Sequence, residues 1–261
     1  HTTEVAAETK SEIDWNEFPI KEMTRRGWLK INHQNAKEAI EATIKDFFSQ
    51  SGLQFGVASF RRTISGDAQS PTTKYALYAW LARITQTARI KKETIGKFYP
   101  ESINNTFLKE VAQLSWLDNG PVIAIDFLEK HGIAVIVEPH LKGTQLDGAA
   151  LKDTDGSPII GITLRYDRLD NFWFTLMHEI VHIWKHTDNQ DTFLDDLDSS
   201  SEDRREAEAN RIAREAFIPR LIWKKNEQLI STNREALLGL SRELRIHPAI
   251  IAGRVRKETG N

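Results

Sequence analysis

The sequence contains no cysteine among its 261 residues. Disulfide bonds, thiolate metal ligands and a cysteine nucleophile are therefore excluded, and the composition fits a cytoplasmic protein. The sequence also has no apolar run of about 18 residues and no apolar signal segment, so we expect a soluble chain without a membrane partner. Its formal net charge is only −2, which argues against a protein that coats nucleic acid.

Three common catalytic signatures are missing as well. The sequence has no G-x-x-x-x-G-K, no G-x-G-x-x-G and no G-x-S-x-G, the patterns of phosphate-binding loops, dinucleotide folds and serine hydrolases. It has no initiator methionine either, and a start at His1 indicates a fragment, a processed chain or a remnant of a longer product. We expect no direct nucleic-acid binding by this chain, and the composition leaves the oligomeric state open.

The sequence does contain the pattern H-E-x-x-H, formed by His178, Glu179 and His182. The pattern lies in an apolar stretch typical of a buried helix, which we expect Asp167 or Asp170 to cap. Two histidines four residues apart lie about 40° from each other on a helix, so both imidazoles can reach one metal ion. Glu179 lies on the flank of that face, where it can take a proton from a water molecule at the metal.

A catalytic zinc ion needs a third protein ligand and an open position for water. After an acidic loop at residues 187–200, we predict a second helix that begins with a capping box from Ser199 to Glu202 and ends before Pro219. Its small, mostly apolar positions form one stripe at helical spacing: Glu206, Ala209, Asn210, Ala213, Ala216 and Phe217.

Because this stripe must face the core, Glu206 is the predicted third ligand, and Asn210 is placed to hydrogen-bond a ligand side chain. Glu208 lies on the charged side of the helix and is expected to be solvated. Two alternatives stay open. Glu206 can be a surface carboxylate paired with a neighbouring arginine, or the ligand can come from Glu202 or from the aspartates of the acidic loop.

These residues together resemble the ImmA/IrrE family of zinc metallopeptidases, which is similar to the gluzincins. The family pairs H-E-x-x-H with a downstream E-x-x-A-N/D-x-F-A helix that ends near a proline, as residues 206–219 do here. The resemblance covers about residues 75–222, including Asp147 and Gly148, and departs at Ile212, where an aromatic residue is usual. It implies a Zn²⁺-dependent peptidase or peptidase-like sensor that acts on a helix-turn-helix transcriptional repressor in stress, toxin-antitoxin or mobile-element regulation.

The predicted fold is α+β, with a zincin-like metallopeptidase unit made of a small sheet and the active-site helices. We expect a disordered tail at residues 1–14, a helical region at 15–103, the metallopeptidase domain at 104–222 and a helical C-terminal region at 223–261 packed on it. The helix-turn-helix module that relatives often carry ahead of such a segment is absent here. The predicted helices outside the site lie at 35–50, 74–90, 104–117, 121–130, 233–244 and 248–258. The predicted strands lie at 133–138 and 159–166.

The predicted strand at 159–166 leads directly into the H-E-x-x-H helix. In such proteases a sheet edge holds the substrate in extended form by backbone pairing. We therefore predict that this strand binds substrate through Ile162, Leu164 and Tyr166, and that the glycine-rich loop at 139–156 gates access.

A peptidase also needs a donor for the developing oxyanion. By residue type the candidates are Tyr166, His140, Arg165 and His247, and the alternatives for these residues are strand surface, loop and helix cap. His186 continues the spacing of the two motif histidines, but we expect it to be a cation at the helix end.

Residues 240–251 have the pattern of a helix-turn-helix pair, although their apolar residues are enough to explain packing against the catalytic unit. Two functional hypotheses follow. The first is a zinc endopeptidase with a specific protein substrate. The second is an antitoxin-like regulator or sensor that keeps the zinc fold and acts by binding a partner protein.

Overall fold

The computed structural model describes residues 14–31, 37–52, 71–144, 146–186 and 199–259. Its helices are α1 (Ile20–Arg25), α2 (Lys37–Ser51), α3 (Pro71–Lys91), α4 (Asn105–Leu114), α5 (Gly120–Lys130), α6 (Leu169–Lys185), α7 (Ser199–Phe217), α8 (Arg220–Thr232), α9 (Arg234–Leu244) and α10 (Pro248–Thr259). Its strands are β1 (Ala134–Val137), β2 (Gly148–Lys152) and β3 (Pro158–Ile162). These described residues are mostly helical with one small sheet, which confirms the predicted α+β, zincin-like fold class.

The sheet has the strand order β1-β3-β2. β1 pairs with β3 in parallel, with Ala134 opposite Ile159, and β2 pairs with β3 in the antiparallel direction, with Ala150 opposite Ile160. All residues of β3 are buried. A continuous apolar strand of this kind is expected where both faces of a sheet are covered.

Two helices cover the two faces of the sheet. On one face, the side chains of Trp80 and Ile84 from α3 pack so closely on Gly161 that a Cβ atom there would lie 2.5 Å and 2.6 Å from their nearest carbons. On the other face, Ile160 and Ile162 join a core that includes α6 and α7. The helix that carries the motif therefore lies directly on the sheet.

The predicted strand at 159–166 is wrong in its end and in its position. β3 ends at Ile162, and Leu164 and Asp167 follow with φ angles of 52° and 44°. This left-handed conformation is incompatible with a strand. β3 also lies between two strands, so it is not the sheet edge that the sequence analysis assigned to substrate.

The predicted loop at 139–156 contains a strand that the sequence analysis missed. β2 begins with Gly148, Ala149 and Ala150, which lack the β-branched and aromatic side chains that usually indicate a strand. The antiparallel pairing with β3 stabilises this segment as a strand although its residues have little strand preference. β2 is an edge of the described sheet.

The C-terminal region contains three helices instead of the predicted two, since α8 precedes α9 and α10. Ile246, Ile250 and Ile251 are buried in the core that includes α6. The apolar residues of the segment with the helix-turn-helix pattern are thus used for packing, as the alternative explanation required.

At the other end, residues 1–13 of the predicted tail lie outside the described residues, and Asp14 caps a short 3-10 helix. No helix in the described parts of the chain combines the length and the apolar character that crossing a membrane requires.

Candidate metal centre

The H-E-x-x-H motif lies near the C-terminal end of α6. Most of this helix is buried, and the side chains of His178 and His182 are only 13% and 7% exposed. The predicted aspartate cap is wrong, because the N-cap residue is Arg168 and no side chain caps the helix. Asp170 lies in the first turn and forms ion pairs with Arg168 and with Arg256 of α10 (2.6 Å to the latter).

Three potential metal ligands converge from α6 and α7. The Nε2 atoms of His178 and His182 lie 2.8 Å apart. The Glu206 carboxylate lies 3.2 Å from Nε2 of His178 and 3.1 Å from Nε2 of His182. Their ligand atoms all lie within 4.8 Å of one another.

This arrangement fits a zinc ion. Two imidazole nitrogens and a carboxylate oxygen are the donor set of many catalytic zinc sites, which leave the fourth position to water. Neutral imidazole nitrogens 2.8 Å apart repel each other unless a proton or a cation lies between them. Nδ1 of His178 is buried without a hydrogen-bond partner among the described residues, so that ring is held chiefly by its contacts at Nε2.

Glu206 is more exposed than the sequence analysis expected. Its side chain is 49% exposed, because it reaches from α7 into an open side of the site instead of lying fully in the core. Burial of its carboxylate raises the pKa of Glu206, but the hydrogen bonds and charges of the two histidines outweigh this effect. The net pKa of Glu206 is far below its ordinary value, so this carboxylate stays ionised and available to a cation.

The pKa of His178 is shifted in the opposite direction. Burial lowers the pKa of His178, while Glu206, Glu179 and the amide of Asn210 raise it, and the net pKa lies above the ordinary value. Asn210 is one of the groups that raise this pKa, and its predicted hydrogen bond to a ligand side chain stays a prediction. Protons and metal ions compete for the same nitrogens at this site.

Glu179 lies beneath the edge strand β2. Its side chain is buried, and a Cβ atom placed on Gly148 would lie 3.0 Å from Oε1 of Glu179 and 2.5 Å from Cγ2 of Thr175. Burial raises the pKa of Glu179, whereas the two histidines and the backbone N–H of Ala150 oppose that rise. A raised pKa suits a group that accepts and returns a proton near neutral pH.

The contacts of His186 and Glu208 were not predicted from the sequence. Nδ1 of His186 lies 2.9 Å from Nδ1 of His182, and Nε2 of His186 lies 3.2 Å from the Glu208 carboxylate. Glu208 is therefore not simply solvated, and His186 is not a free cation. Burial lowers the pKa of His186, and Glu208 only partly offsets this effect. The regular four-residue spacing of the three histidines could have predicted the contact between His182 and His186, because residues four apart are neighbours on one face of a helix.

The predicted substrate residues do not share one strand. Ile162 is buried in the central strand, so it cannot pair with a substrate, while Leu164 and Tyr166 are exposed on the loop that follows β3. The guanidinium of Arg165 lies 5.0 Å from the centre of the Tyr166 ring.

Both histidine candidates for the oxyanion have other contacts. His247 caps α10, since its Nδ1 accepts the backbone N–H of Ala249, and burial lowers its pKa. The carbonyl oxygen of His140 accepts a hydrogen bond from Arg26 at 2.8 Å.

Comparison with known proteins agrees with this geometry. Residues 128–251 match the model of the Peptidase_M78 family, described as an IrrE N-terminal-like domain. The match contains the sheet, the motif helix α6, the second helix α7 and the start of α10. No curated protein and no solved structure showed significant similarity to the chain.

Proposed function

Because residues 128–251 form a Peptidase_M78 domain of the ImmA/IrrE family, we propose that this protein is a zinc-dependent endopeptidase. The observation that carries the proposal is the convergence of His178, His182 and Glu206 within 4.8 Å, with the buried carboxylate of Glu179 beside them. A structural zinc site would be closed by four protein ligands, whereas three ligands leave a position for water.

Each residue of the site has a distinct role in hydrolysis. His178, His182 and Glu206 would hold the ion. A bound zinc ion supplies a Lewis acid that polarises a water molecule and the scissile carbonyl. Glu179 accepts the proton of the attacking water and delivers it to the leaving amine. Burial beneath Gly148 keeps bulk water from the Glu179 carboxylate and supports the pKa that this exchange needs.

The outer edge of β2 is the better candidate for holding an extended substrate. Thr163 donates its N–H to the carbonyl of Asp147, so in the alternating antiparallel pattern the backbone groups of Gly148 and Ala150 point away from β3. The same residues lie against Glu179. A peptide paired with this edge would pass the catalytic carboxylate.

The decisive experiment compares the wild type with Glu179→Gln. We expect the variant to bind zinc with the same stoichiometry and to lose at least about 100-fold in peptide hydrolysis, because general-base catalysis contributes about 10²–10⁴-fold. A helix-turn-helix transcriptional repressor is the first substrate to assay, since the resemblance to ImmA/IrrE proteins suggests it. Unchanged hydrolysis in Glu179→Gln would contradict the proposal. A biological effect that survives this substitution would favour the partner-binding regulator instead.

A further inference from the structure

His186 and Glu208 extend the candidate metal centre toward the surface. The side chain of His186 is only 6% exposed, and that of Glu208 is 45% exposed. His186 Nδ1 lies 2.9 Å from Nδ1 of His182, and His186 Nε2 lies 3.2 Å from Oε2 of Glu208. A continuous line of contacts thus runs from a surface carboxylate to the ring nitrogen of His182 that faces away from Glu206.

His186 is not a fourth ligand in this arrangement. Its Nδ1 faces Nδ1 of His182, whereas the nitrogen that His182 turns toward His178 and Glu206 is Nε2. Its Nε2 is directed to Glu208. Both nitrogens of His186 therefore have protein partners outside the converging ligand atoms.

The two contacts of His186 determine where its proton lies. An ionised carboxylate can only accept hydrogen bonds, so Glu208 requires the proton of His186 on Nε2. Nδ1 of His186 then carries a lone pair and accepts a hydrogen bond from Nδ1–H of His182. A neutral His182 with its proton on Nδ1 has its lone pair on Nε2, which is the nitrogen that a metal ion needs.

We propose that His186 and Glu208 are positioning residues that fix the tautomer of His182 and thereby raise the affinity of the site for zinc. This inference rests on the proposed zinc site. Outer partners of metal-binding histidines typically change metal affinity by about 10–100-fold. His186 and Glu208 fix the tautomer of His182 but not that of His178, because Nδ1 of His178 has no hydrogen-bond partner among the described residues.

Arg211 supports the position of Glu208. Its Nη2 lies 3.6 Å from Oε1 of Glu208, so the two oxygens of this carboxylate face different partners. Oε2 remains directed at His186.

The first test measures zinc affinity by competition with a chromophoric chelator. We expect His186→Leu, which removes the acceptor, to weaken zinc binding about 10–100-fold. We expect His186→Gln to keep most of the affinity, because its amide oxygen can still accept the proton of His182. Equal affinities for wild type, His186→Leu and His186→Gln would overturn the inference.

The second test reverses the polarity of the outer group. An ammonium group can only donate, so Glu208→Lys favours the proton of His186 on Nδ1 and disfavours the metal-binding tautomer of His182. Glu215→Lys is the matched control, since it makes the same charge change at an exposed position on the same helix. We expect Glu208→Lys to lose about tenfold or more in zinc affinity and the control to stay near wild type. Because residue 208 is half exposed, this variant does not endanger the fold.

Nitrogen-15 NMR of the imidazoles reads the tautomers directly. In the zinc-loaded wild type we expect His182 to carry its proton on Nδ1 and His186 to carry its proton on Nε2. In Glu208→Lys we expect the proton of His186 to shift to Nδ1. A wild-type spectrum with the proton of His186 on Nδ1 would refute the role of the pair while leaving the zinc site intact. A wild type that binds no zinc would refute the proposed function itself.

Discussion

At the scale of single residues, the Glu206 carboxylate lies within hydrogen-bonding distance of Nε2 of both motif histidines. Replacing it by alanine removes one of the three proposed metal ligands. Loss of an outer partner typically weakens metal binding about 10–100-fold, and we expect Glu206→Ala to weaken zinc binding by more than that. Glu208→Ala should still load fully at saturating zinc and show only the smaller loss of affinity. Metal analysis together with chelator competition distinguishes the two variants, and equal losses would contradict Glu206 as a ligand.

Gly148 lies so close to Thr175 and Glu179 that it leaves no room for a side chain. An added methyl group would lie 2.5 Å from Cγ2 of Thr175 and 3.0 Å from Oε1 of Glu179, so β2 or one of these two side chains must move. We expect Gly148→Ala to lower kcat while zinc binding persists, and to destabilise the fold by about 1–3 kcal/mol. The measurement is steady-state kinetics together with chemical denaturation.

Two further variants control this experiment. Gly239→Ala makes the same change where no atom beyond the adjacent residues and the nearby backbone of its own helix lies within 4 Å of the added carbon, so it should leave activity unchanged. Thr175→Ser removes the methyl group that is closest to the new carbon, and combining it with Gly148→Ala should restore part of kcat. A fully active Gly148→Ala would show that the contact does not constrain Glu179.

At the scale of elements, the distance between α6 and α7 decides whether Glu206 reaches the histidines. The small residues Ala209 and Ala213 of α7 are completely buried in the same core as α6. We expect Ala213→Leu to separate the helices, to cost about 1–3 kcal/mol by overpacking, and to weaken zinc binding. Ala207→Leu is the matched control, because residue 207 is exposed on the same helix.

Thermal unfolding of the metal-free protein and zinc competition measure the two consequences of Ala213→Leu separately. The explanation by helix spacing would be wrong if stability fell and zinc affinity did not.

At the scale of the whole molecule, the sheet joins two cores. α3 and the N-terminal segments form one core on one face, and α6, α7 and the C-terminal helices form the other. Deleting residues 15–100 would remove α3 and expose Ile136 and Ile159. Surface substitutions are therefore a better probe of partner binding by the N-terminal helices than a deletion.

The pair Arg89 and Asp153 joins α3 to the turn between β2 and β3. Nε of Arg89 donates to both carboxylate oxygens at 3.0 Å, and the Asp153 side chain is only 7% exposed. Burial raises the pKa of Asp153, but the hydrogen bonds from Arg89 and from the N–H of Thr154 outweigh it and lower the net pKa below its ordinary value of 3.8. A lowered folded-state pKa means that this stabilisation is present above about pH 4 and is lost as the pH falls through the folded pKa.

We expect Asp153→Asn to destabilise the protein by about 1.5–3 kcal/mol at pH 7, the value typical of a hydrogen bond to a charged group. The difference from wild type should shrink as the pH is lowered below about 4, because wild-type Asp153 then becomes protonated. Denaturant unfolding across pH measures this. Asp155→Asn should cost much less, since Asp155 and Lys92 form an exposed pair. A pH-independent difference would contradict the assignment.

The sequence by itself predicted the fold class and the resemblance to the family, because both depend on local patterns. Residue spacing on a helix is fixed by helix geometry, so His178 and His182 were assigned to one face before any tertiary contact was known. The apolar stripe that contains Ala209 and Ala213 singled out Glu206 by the same reasoning, and in the structure the three side chains lie together.

Only the tertiary structure decided the features that depend on pairing between distant segments. β2 has little strand preference of its own and is stabilised by its hydrogen bonds to β3. Because β2 pairs with β3, the sheet edge lies at β2 and not at β3, where the sequence had placed it. Glu208 was assigned to solvent from its charged neighbours along α7, yet it meets His186 from another helix. Sequence spacing fixes which residues share one face of an element, but contacts between elements depend on how their faces pack.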